Sequence, residues 1–88
     1  MTTPDTAQLI QDKLAVLKPL RLQLHDDSAS HAGHAGNRGG GHFNLLIQSA
    51  AFNGLSQVQR HRMIFDLLKQ EMQSRIHALS IRAIAADE

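Results

Sequence analysis

Eighty-eight residues with 42% apolar composition are enough for one small domain and its core, and leave no room for a second. A formal net charge of +1 announces neither a nucleic-acid nor a membrane-surface binder, and 3% aromatic content, all phenylalanine, excludes a stacking platform for single strands. The absence of cysteine removes disulfides, thiolate metal sites and cysteine nucleophiles, so any thiolate must come from a partner.

The N-terminus has neither a basic region nor an apolar run, and no stretch approaches a membrane span, so a cytoplasmic location is expected. Thr3 is placed to cap a first helix with Pro4 at its first position, and Leu9, Ile10, Leu14 and Leu17 mark the buried side. The helix should stop before Pro19, because proline disfavours helical geometry in the residue ahead of it. Leu20, Leu22 and Leu24 alternate with Arg21, Gln23 and His25, the period of a half-buried strand. Residues 27–42 form a glycine- and histidine-rich loop, expected to be flexible, that carries His31, His34 and His42. Phe43, Leu45 and Ile47 then alternate with Asn44 and Gln48 as a second strand, antiparallel to the first.

Asn53-Gly54 is a turn signal. Ser56 with Gln59 three residues on spells a capping box, which starts a helix sharply. Ile64, Leu67, Leu68 and Met72 line one face of it, opposite Arg62, Asp66, Lys69 and Gln70. The stretch 59–74 reads as one helix or as a short turn leading into a longer one, the second being favoured. Leu79 and Ile81 alternate with Ser80 and Arg82 in a third strand, reached by a helical crossover and therefore parallel to its neighbour. The order is helix, strand, strand, one or two helices, strand, which becomes αββααβ with the favoured division, an α+β fold with helices on one face of a three-stranded mixed sheet.

Histidine is the candidate chemistry, since imidazole offers transition metals a neutral nitrogen near physiological pH. His77 shares the parity of Leu79 and Ile81, which places it inward or at the mouth of the third strand. There a hydrogen-bonded structural role competes with a ligand role. His31 and His34, three apart in the loop, can share a metal or stand solvated, while His42 and His61 read as capping or surface residues. No HExxH pattern and no obviously placed carboxylate base accompany them. The incomplete set suggests a shared site, with two histidines on one iron and sulfur ligands from another protein, as two histidines replace two cysteines in Rieske-type clusters. Arg60, Arg62, Lys69 and Arg75 form either a solvated face or a nucleic-acid surface, although Arg60 and Arg62, two apart, diverge on a helix. Gly33-His34-Ala35-Gly36 spells the GXXG of a KH domain but lies between strands instead of helices. No nucleophile elbow and no usefully spaced carboxylate pair support a hydrolase.

Phe52-Asn53-Gly54-Leu55-Ser56, Arg60-His61-Arg62-Met63 and Ile76-His77-Ala78-Leu79, in this order and spacing, make the chain resemble the BolA family over nearly its whole length. The resemblance implies a type II KH-like fold and a non-enzymatic partner of monothiol glutaredoxins. Such a partner shares a [2Fe-2S] cluster in iron-sulfur trafficking or iron regulation, with glutathione supplied through the glutaredoxin. It also implies, for bacterial members, a DNA-binding transcriptional regulator of stress response and cell morphology. On this chain that alternative would use Arg60, Arg62 and Lys69. The family's HAL-type histidine falls on His77, and the second ligand, from the loop, on His31, with His34 as the alternative. Gly41 before His42 stands where many relatives have threonine.

Overall fold

The computed structural model describes residues 5–27 and 41–88. Helix α1 (Thr6–Leu14) is capped by Asp5, whose Oδ1 accepts the Gln8 N-H at 2.7 Å. Thr3 and Pro4 lie outside the described residues, and the expected cap is corrected to Asp5, whose carboxylate directly before Thr6 takes one of the first free amides. A 3-10 turn (Ala15–Leu17) follows, and Lys18 ends it in the left-handed region at φ 48° ahead of Pro19. The stop before proline is thus realised by a strained residue. Ile10 and Leu14 are fully buried, whereas Leu9 and Leu17 are half-buried.

Strand β1 (Arg21–Asp26) begins one residue later than the leucine alternation implies, leaving Leu20 68% exposed. It pairs antiparallel with β2 (Gly41–Ser49), Leu24 opposite Leu45. A 3-10 turn (Ala50–Phe52) carries the chain into a tight turn, where the Leu55 N-H reaches the Phe52 carbonyl at 3.1 Å. Asn53 at φ −59°, ψ 130° and Gly54 at φ +77° give this turn type II geometry, which needs glycine at its third position.

Helix α2 (Gln57–Leu67) starts on the expected capping box. Ser56 Oγ accepts the Gln59 N-H at 3.2 Å, and Gln59 Oε1 accepts the Ser56 N-H at 2.9 Å. Helix α3 (Lys69–Ser74) follows after Leu68. The segment is divided as the sequence suggests, but the longer helix comes first, because the capping box nucleates α2 directly at Gln57. Strand β3 (Ile76–Ala85) lies parallel to β2 in a sheet of order β1-β2-β3.

The α+β architecture with a three-stranded mixed sheet is as expected. Phe43, Leu45 and Ile47 of β2 and Ala83 and Ala85 of β3 meet Ile10, Leu14, Phe52, Ile64 and Leu68 in one core. Alternate residues of the same strands, Asn44, Ser80 and Arg82 among them, are exposed. Each strand thus divides its side chains between the core and an uncovered face.

Candidate functional site

Two ends of the parallel β2/β3 pair hold the residues that the sequence singles out. At the N-terminal end the register slips. Gly41 pairs with Ile76, but His42 pairs with Ala78, so His77 is the extra residue of a β-bulge. Ile76 stays in the core at 4% exposure, and Leu79 resumes the inward parity opposite Phe43. Of the two placements expected for His77, the inward one is corrected and the mouth of the strand is the one observed. The bulge interrupts the two-residue period between His77 and Leu79 and leaves His77 exposed.

The same slip sets His77 beside His42, with ring centroids 5.0 Å apart and planes tilted by 37°. His42, expected to serve as a cap or surface residue, is half-buried at the first position of β2 beyond Gly41. Strand alternation alone does not reveal this proximity, since His42 pairs with Ala78 and it is the bulge that brings His77 beside it. Gly41 holds this corner closed. A Cβ there would collide with the Phe43 ring, and its N-H donates to the Arg75 carbonyl at 2.9 Å. His31 and His34 lie outside the described residues, so the expected ligand pair His77 and His31 is represented here by His77.

A neutral imidazole can donate one nitrogen to a borderline metal. Two rings at this separation, one of them exposed, supply two such donors on one side of the sheet. Among the described residues no group of three or more histidines, cysteines or carboxylates could hold a metal ion. Among the described residues these two donors fall short of the three or four protein ligands that a zinc centre needs.

At the C-terminal end the arrangement is closed. Arg60, expected on the solvated or nucleic-acid face, is instead 5% exposed. Its Nε donates to the Leu55 carbonyl at 2.9 Å and its Nη1 to the Ala83 carbonyl at 3.0 Å. Both terminal nitrogens engage Glu88, Nη1 to Oε1 at 2.7 Å and Nη2 to Oε2 at 3.2 Å. Glu88 Oε1 also accepts the Ala85 N-H at 2.8 Å. The hydrogen bond to Arg60, followed by that from Ala85, holds the Glu88 carboxyl below its usual range, and Glu88 in turn raises Arg60. This is a structural clasp between α2 and the end of β3. Of the three cations assigned to a nucleic-acid surface, Arg60 is therefore committed elsewhere, while Arg62 and Lys69 are exposed. The arginine was missed as a core element because a helix-surface pattern does not show that its guanidinium folds over the strand end.

The fold and the histidine pair define a small αββααβ domain that displays donor nitrogens at the mouth of its parallel strands. The BolA-like protein family model matches residues 14–88, and the chain belongs to the BolA family. It is 51% identical over 81 residues to SufE-like protein 1, chloroplastic/mitochondrial, of Arabidopsis thaliana, covering 84% of this chain and 22% of that protein. It is 45% identical over 69 residues to Protein BOLA1, chloroplastic, of the same plant, covering 74% and 43%. The chain thus spans less than half the length of either relative. The BolA domain of SufE1 from Arabidopsis thaliana superposes with a TM-score of 0.82 at 45% identity over 98% of both chains. BolA1 from Arabidopsis thaliana superposes with a TM-score of 0.84 at 37% identity over 98% of this chain and 97% of the other. Among the described residues no helix is long and apolar enough to cross a membrane.

Proposed function

We propose that this chain is a non-enzymatic adaptor that pairs with a monothiol glutaredoxin and contributes histidine ligands to a [2Fe-2S] cluster held between them. The observation that carries the reading is the exposed His77, turned out of the core by a bulge and set beside His42. His77 is the first ligand. The second is a histidine that reaches it, and His42 now joins His31 and His34 as a candidate. Glutaredoxin thiolate and glutathione sulfur complete the set that a chain without cysteine leaves open. When bound, the cluster supplies iron for transfer or sensing.

Within the chain, the bulge aims His77 outward, and the Gly41 corner allows Phe43 to close beneath the pair. Cytoplasmic residence belongs to the same proposal, whereas the two plant relatives are named for chloroplast or mitochondrion.

Visible circular dichroism of a cluster-loaded monothiol glutaredoxin, titrated with wild type and with His77→Ala, His42→Ala, His31→Ala and His34→Ala, tests the reading. The wild type should change the cluster spectrum, His77→Ala should abolish that change, and one of the other three should share the loss. An unchanged spectrum with the wild type would remove glutaredoxin pairing through a shared cluster.

A further inference from the structure

The face of the sheet turned away from the helices holds a trough of about 410 Å³, floored by Asn44, Leu46 and Ser80 and walled by Gln23, His25 and Arg82. Cross-strand pairing sets these residues in rows: His25, Asn44 and Ser80 form one, Gln23, Leu46 and Arg82 the next. A third row, Arg21, Gln48 and Ile84, continues the face to a second cavity of about 670 Å³ that Arg82 also lines. From His25 to Arg21 the rows span four residues, about 13 Å of strand.

Three features mark this face as a site. Arg21, Gln23, Asn44, Ser80 and Arg82 are exposed, and their side chains have no hydrogen-bond or ion-pair partner among the described residues. Asn44 sits in the middle of the central strand, where asparagine is disfavoured, and among the described residues nothing uses its amide. Two guanidinium groups, Arg21 and Arg82, stand on this face; of the carboxylates near it, Glu88 lines the second cavity but is engaged by Arg60, and Asp27 lies 3.9 Å from the His25 ring.

We propose that this face docks an extended acidic segment of a partner protein, its carboxylates meeting Arg21 and Arg82 and its apolar side chains lying on Leu46 and Ile84. Planar guanidinium groups donate to carboxylates in a two-point fork, while Gln23, Asn44 and Ser80 provide donors and acceptors to a peptide backbone. Charge complementarity selects the occupant. The trough is open and crosses three strands, as a chain segment requires. A nucleic-acid strand would lack a stacking partner, because Phe43 and Phe52 are buried in the core and Phe65 belongs to α2. The inference is independent of the cluster, since none of these side chains is assigned as a ligand.

The test uses the metal-free full chain and a fluorescein-labelled octapeptide of alternating glutamate and valine. Its controls are the glutamine analogue of that peptide and a labelled oligothymidylate. Anisotropy should show binding of the acidic peptide that weakens with salt, with the glutamine analogue about tenfold weaker or more. Arg21→Glu with Arg82→Glu should cost at least about tenfold while the circular dichroism stays native, and Arg21→Gln with Arg82→Gln replaces that pair if charge reversal unfolds the chain. Amide shifts in nitrogen-proton correlation spectra should cluster on Gln23, Asn44, Leu46, Ser80 and Arg82. Equal binding of the glutamine analogue, shifts confined to the helices, no binding, or tighter binding of oligothymidylate at the same residues would each overturn the proposal.

Discussion

The two ends of the β2/β3 pair are built from the same strands and behave as opposites. At the C-terminal end Arg60 joins Leu55, Ala83 and Glu88, Asn53 Oδ1 accepts the Ala86 N-H at 3.0 Å, and Phe52 is fully buried beneath. At the N-terminal end a bulge breaks the register and His77 stands exposed. One end folds its arginine over the strand end into the protein, and the other turns a histidine out to the surface. The difference sorts the motif residues: Phe52, Gly54, Ser56 and Arg60 hold the fold at the closed end, and His77 stands at the open one without filling the core.

The closed end should break most readily at its base. Phe52→Ala removes a fully buried ring from the core and is expected to cost about 3–5 kcal/mol in denaturant unfolding. Arg60→Ala comes next. It leaves the Leu55 and Ala83 carbonyls without their arginine donor and releases Glu88, so thermal unfolding should fall by less than for Phe52→Ala and by more than for Ser56→Ala. Because Glu88 is held below its ordinary value of 4.5 in the fold, the clasp stabilises fully above that pH and weakens as pH falls through the lower folded value. Thermal unfolding scanned below pH 4.5 should therefore show a loss that Glu88→Gln reduces. Ser56→Ala removes one half of the capping box and should cost about 1 kcal/mol by the same measurement.

Legibility in the sequence follows the same division. Local rules made the closed end readable in part. The type II turn at Asn53-Gly54 and the box at Ser56-Gln59 are short-range hydrogen-bond patterns, and the apolar stripe of Ile64 and Leu68 is a periodicity. The clasp itself was not readable, because it joins residues 28 apart and depends on a guanidinium reaching back across a strand. At the open end the period of two left His77 inward or at the mouth of the strand, and one inserted residue decides for the mouth without leaving a mark in composition. The likeness to BolA proteins named His77 as a ligand, but the neighbour His42 emerged from the register. The polar face of the sheet was visible as alternation, and only pairing gathered Gln23, Asn44 and Ser80 over one trough.

The sharpest form of the comparison is a substitution expected to do almost nothing to the fold. His77 is exposed on an extra residue of the strand, and its removal vacates no core volume. His77→Ala should therefore change unfolding stability by no more than about 0.5 kcal/mol. If the open end is a ligand site, that same variant loses its effect on the glutaredoxin cluster spectrum while melting like the wild type. A variant that instead melts early would make His77 a structural residue after all, and would move the bulge from the functional to the folding side of the molecule. His42→Ala sharpens the point further: half-buried beside the Gly41 corner, it should melt slightly below His77→Ala, so a matching loss of cluster response has to be read at a temperature where both variants are folded.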